Sequence, residues 1–210
     1  MMKEQSTGPT GSVTGATGVA TNAVAELIRA LKSDSNERRT KAWFECGPLG
    51  APAIPPLAAL WGDADTGLEA QRAARHAVFQ IVRFSSRPET RESIKRLLKE
   101  LHRLVEADEP SQIRRELLWL LSEIAGDESL PVLSRLLAQD AVREEACMAL
   151  ERIPGKRSLK ILEGSLAQAP TDFRPVLAAA LARRGHKVSG APSRRLVPRA
   201  QTHVQPLSGH

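Results

Sequence analysis

A unit of two apolar-periodic segments recurs along this chain, and no other feature restricts its possible folds so tightly. The clearest copy is SLPVLSRLLAQDAVREEACMALERIPG at 129–155. Its leucines fall three and four residues apart, Asp140 marks a turn, and a second segment opens at Arg143, continues in small residues and closes at Gly155. Apolar spacing of three and four draws one face of an α-helix, whereas a half-buried strand alternates at two. Strand-like alternation is nearly absent, and aromatic residues make up 3% of the chain with no tyrosine among them. The chain is therefore expected to be all-α and built by repetition.

Five first segments align: VAELIRALKSD, APAIPPLAALWGD, SIKRLLKELHRLVEAD, LPVLSRLLAQD and RSLKILEGSLAQAP. Asp34, Asp63, Asp108 and Asp140 stand near their ends. A short carboxylate there accepts hydrogen bonds from free amides and is expected to cap the next helix. The second segments are NERRTKAWFECG, EAQRAARHAVFQIV, SQIRRELLWLLSEIAG, AVREEACMALERI and DFRPVLAAALARRG. Arg38, Arg72, Arg114, Arg143 and Arg174 head them, and Ala42, Ala73, Ala77, Ala146, Ala149, Ala178 and Ala179 leave room for close helix approach. Gly47, Gly126, Gly155 and Gly185 are expected to end the pairs in the left-handed region.

LGAPAIPPLAAL and LLAQDAVREEACMALERI resemble HEAT repeats, of the bacterial kind grouped with phycobilisome-lyase-like HEAT proteins among the armadillo-type α-solenoids. The resemblance covers roughly residues 22–188 and implies an α-α superhelix of about four to five helical pairs. Two departures disturb the register: RFSSRPET stretches the third unit after Arg83, where the stacking is expected to bend, and Pro175 must lie in the first turn of its helix. Three segments follow: 1–21, rich in Gly, Thr and Ala and expected to be disordered; 22–188, the solenoid; and 189–210, a basic tail with three prolines, also expected to be disordered.

Charge follows the same division. Seven of the 30 basic residues lie after Asp172 and no acidic residue does, leaving 23 basic against 24 acidic side chains before it. The opening stretch MMKEQSTGPTGSVTGATGVATN reads as neither secretory signal nor anchor, and prolines break the longest uncharged run, so no membrane association is expected. Cys46 and Cys147 stand far apart without a second ligand and read as small buried hydrophobes, which fits a cytoplasmic setting.

Chemistry finds no foothold. DADTG at 63–67 begins like a phosphotransferase nucleophile motif or a calcium loop, but a proline-started helix precedes it and no glutamate twelfth ligand follows, so it reads as a turn between helices. His76, His102, Cys46 and Cys147 lack metal-ligand spacing, and no nucleophile elbow or phosphate-cradling loop occurs. No catalytic residue, cofactor or metal is expected. The reading that remains is a non-enzymatic scaffold or adaptor that binds an unidentified protein or peptide through the second-helix face, with Arg38, Arg39, Arg72, Arg75, Arg114, Arg115, Arg143 and Glu144 as candidate contacts. The alternative is nucleic-acid association through the basic tail; less favoured are the glycosylase and bilin-lyase activities that the resemblance brings with it. Trp43, Phe44, Trp61, Phe79, Phe84 and Trp119 are interface anchors wherever they are exposed and core residues otherwise.

Overall fold

The computed structural model describes residues 14–186 together with 188 and 189. Its α-helices form five antiparallel pairs: α1 Thr14–Leu31 with α2 Asn36–Glu45, α3 Ile54–Gly62 with α4 Leu68–Ser85, α5 Arg91–Glu106 with α6 Ser111–Ile124, α7 Leu130–Leu136 with α8 Arg143–Arg152, and α9 Lys156–Gln168 with α10 Arg174–Arg183. No strand occurs among the described residues. Helix α1 begins at Thr14, ahead of the boundary placed at residue 21, while residues 1–13 and the tail beyond Ser189 lie outside the described residues.

Extensive helix contacts fall within a pair or between adjacent pairs, as in a solenoid whose repeats touch only their neighbours. First helices pack in sequence, α3 on α5, α5 on α7 and α7 on α9; second helices pack α2 on α4, α6 on α8 and α8 on α10. The buried residues form one cluster running from Leu27 to Leu181. In α5, Leu97, Leu98, Leu101, Leu104 and Val105 are buried, so the apolar stripe faces inward and the charged face outward. Helix α6 buries Ile113, Leu117, Leu118, Leu120 and Leu121, which explains its apolar circumference: it sits centrally, between α5 and α8 and in contact with α3. Each fully buried leucine there contributes about 1.5–3 kcal/mol of transfer free energy.

Alanine sets the spacing. Ala73 and Ala77 in α4 and Ala146 and Ala149 in α8 are buried, and Cys46 Sγ reaches the Ala77 carbonyl at 3.5 Å where α2 and α4 close together. Ala179 is exposed, so it does not serve that role. Among neighbouring second helices, it is α4 and α6 that fail to pack backbone to backbone. In the third unit α4 ends at Ser85 and a 3-10 turn at Pro88–Thr90 leads into α5.

The turns differ from expectation in two respects. The cap of α2 is Ser35, whose hydroxyl accepts the Arg38 amide at 3.2 Å, and no side chain caps α4, α6 or α8. The turn aspartates act elsewhere: Asp63 accepts from the Asp65 amide and the Thr66 hydroxyl within its own turn, and Asp140 pairs with Arg143. Among the four glycines named as stops, Gly155 and Gly185 have positive φ, at 98° and 78°. Gly126 is extended at φ −124°, and Gly47 lies in a 3-10 turn where a Cβ would stand 2.6 Å from the Phe84 ring. Close packing, not handedness, requires glycine at 47. Pro175 sits in the first turn of α10.

Candidate interaction surface

One position near the start of each second helix ties the turn together. Arg39 Nη1 donates to the Ser33 carbonyl at 2.6 Å, Arg114 Nε to the Val105 carbonyl at 2.8 Å, and Arg174 Nε to the Ala169 carbonyl at 3.0 Å. In the second pair Gln71 takes this place, donating to the carbonyls of Asp63 and Thr66 at 3.0 and 2.7 Å. Arg143 holds the corresponding place in α8. It bonds Asp140 of its own turn at 2.8 Å and Asp172 of the next at 2.5 Å, and lies 4.8 Å from the Phe173 ring centre. Its side chain is 13% exposed while Asp172 is 70% exposed, so the arginine braces the turns from beneath.

Other candidate arginines join neighbouring repeats. Arg115 Nε donates to the Ala141 carbonyl at 2.8 Å and lies 3.8 Å from Glu145, and Arg75 pairs with Glu116 across the α4–α6 gap. Arg184 was not singled out in the sequence, yet it donates to the Leu150, Glu151, Ile153 and Gly155 carbonyls and to Ser158 Oγ, closing the end of α8. Beside it Arg183 meets Glu151 in a two-pronged pair at 2.5 and 2.6 Å. Part of the C-terminal basicity is thus consumed inside the array. Among the candidates, Arg38, Arg72, Arg115 and Glu144 are exposed, Arg72 paired with Glu69 at 2.8 Å along its own helix.

The N-terminal half of this second-helix face carries aromatic side chains. Phe44 is 64% exposed, and Trp43, Phe79 and Trp119 are partly so. Trp43 meets His76 edge-on at 5.1 Å, Phe79 stacks on Trp119 at 5.8 Å, and Arg75 and Arg83 lie over the Phe79 ring at 4.5 and 5.7 Å. His76 and Arg83 were not named as contacts in the sequence reading. Their signal was present as the row Arg72, His76, Phe79, Arg83, spaced four, three and four along α4. Trp61 and Phe84 are half-buried against other parts of the fold.

Among the described residues, no group of three or more His, Cys, Asp and Glu is placed to hold a metal ion. The turn at Asp63 is a closed local motif: the Thr66 hydroxyl at 2.6 Å and the Asp65 amide at 3.0 Å hold its carboxyl below the usual carboxylate range. Burial pushes the Cys46 thiol, and likewise Cys147, up to about 12. His102, half-buried with Nε2 2.8 Å from Ser129 Oγ, is pushed down by desolvation. No described helix is long and apolar enough to cross a membrane.

Paired helices stacked in one direction, a single continuous core and a brace at each turn define an α-solenoid. Residues 94–182 match the family model for HEAT repeats, in keeping with the repeated helical pairs. Among solved structures, a crystal structure described as an engineered protein is similar at 23% identity and a TM-score of 0.38, over 77% of this chain and 78% of that one. No curated protein matches it.

Proposed function

We propose that this chain is a non-enzymatic scaffold or adaptor that binds a protein or peptide through the face formed by its second helices. The observation that carries the reading is the exposed aromatic and cationic side chains of α2, α4 and α6, with Phe44 the most exposed large apolar residue described. A large exposed ring beside arginines is the composition from which interface hot spots are drawn. Arg38 and Arg72 are the contacts on the helix ends, while Arg39, Arg114 and Arg143 shape the surface by fixing the turns.

A photo-crosslinking residue placed at Arg72 and, separately, at exposed Lys99 on the first-helix side of the whole chain tests the assignment in the native cell. Protein adducts at position 72 and none at 99 are expected. Adducts to nucleic acid at 72, or equal protein adducts at both positions, overturn it. Truncation after Val188 with a salt titration separates any tail-mediated nucleic-acid binding, which weakens steeply with salt and disappears with the tail.

A further inference from the structure

The two halves of the second-helix face differ in charge compensation. Toward the C-terminal end, Arg143 is held by Asp140 and Asp172, Arg115 by the Ala141 carbonyl beside Glu145, and Arg183 by Glu151; α8 and α10 contribute no aromatic residue. Toward the N-terminal end, Arg38, Lys41 and Arg83 are exposed with no ion pair among the described residues. Helices α2 and α4 set Arg38, Arg39, Lys41, Arg72, Arg75 and Arg83 against only Glu37, Glu45 and Glu69.

Between these cations lies the apolar material. Gln80 Nε2 donates to the Phe44 carbonyl at 3.0 Å, tying α4 to the end of α2 that presents the exposed ring. The wide α4–α6 spacing is spanned by Phe79, Trp119 and the Arg75–Glu116 pair.

Resting on the scaffold reading above, we infer that Phe44, Arg72, His76, Phe79, Arg83 and Trp119 form a docking platform for an acidic segment of a partner protein, one that carries an aromatic or aliphatic anchor residue. The anchor packs on the rings, and neighbouring carboxylates meet Arg72 and Arg83. Charge complementarity selects the sign of the partner, and the interspersed acids select its kind. Glu37, Glu45 and Glu69 interrupt the cationic surface, which disfavours the closely and evenly spaced charges of a phosphate backbone relative to a peptide whose carboxylates occur at chosen positions.

Panning a displayed library of random peptides against the immobilised whole chain tests this, with binding then measured by quenching of the Trp43 and Trp119 fluorescence. Enriched peptides are expected to be acidic with a bulky apolar residue. Phe44→Ala, and independently Arg83→Glu, are expected to weaken them roughly tenfold or more, while the matched charge reversal Lys99→Glu on the first-helix side leaves them unchanged. Because the basic tail attracts acidic peptides too, the comparison among whole-chain variants decides: acidic peptides that bind all variants equally overturn the inference. Neutral or basic peptides sensitive to Phe44→Ala overturn it while leaving the scaffold reading in place. Selection of no peptide, with labelled oligothymidylate binding in a manner sensitive to Arg83→Glu, overturns both.

Discussion

Cys46 and Cys147 show at the residue scale how burial replaces chemistry. Each thiol is buried and free, and desolvation holds it protonated up to about 12. Alkylation by iodoacetamide near pH 8 is expected to be negligible in the folded chain and rapid in urea, followed by mass spectrometry. Because the folded thiols keep their protons where unfolded ones lose them, stability is full below the unfolded value of 9.0 and falls as pH rises toward about 12. Cys46→Ala and Cys147→Ala are expected to flatten that alkaline slope in urea titrations. Asp63 works in the opposite sense. Its lowered folded pKa contributes stability above the unfolded value, lost as pH falls through the folded one, and Thr66→Val is expected to return its NMR titration midpoint toward 3.8. Both cysteines were legible in the sequence as buried hydrophobes. The bracing role of Arg143 was not, because a helix-start arginine has the same local sequence whether it faces a turn or a partner.

At the scale of the element, the helix ends are held by groups brought from the next repeat. Arg184 satisfies carbonyls that α8 leaves free, and its replacement by alanine leaves those acceptors to water or unpaired. Arg184→Ala is expected to lower stability by about 1–3 kcal/mol, read as a shift in urea midpoint at unchanged slope. Gly47→Ala drives a Cβ to within 2.6 Å of Phe84 and is expected to cost about 1–3 kcal/mol, whereas Gly155→Ala, with open space around it, is expected to cost about 1–3 kcal/mol through its backbone at φ +98° and ψ 173° alone. The helices themselves were readable because amphipathic period and turn residues are local. Which glycine serves handedness and which serves packing was not, since Phe84 approaches Gly47 from another helix.

For the whole molecule, nearest-neighbour stacking means that stability is distributed along the array and the ends are held from one side only. Hydrogen exchange is expected to be slowest in α6, packed between α5 and α8, and faster in α2 and α10, resolved by mass spectrometry of peptides. The repeat was legible as a repeat because each unit must present the same apolar rows to its neighbours. The uneven α4–α6 spacing places the Phe79 and Trp119 rings between the two helices, a pairing visible in sequence only once the partner helix is known. By itself the sequence determined the helices, the five-unit rhythm, the turn positions and the absence of a recognisable catalytic motif, all consequences of local periodicity. Only the tertiary structure decided which arginines are spent on turns and which remain at the surface with Phe44. Arg39, Arg114 and Arg174 reach carbonyls of their own turns. Other partners come from the adjoining repeat, as Gln139 for Arg114 and Glu116 for Arg75, 25 and 41 residues away, and no local pattern encodes which of two neighbouring arginines will meet them.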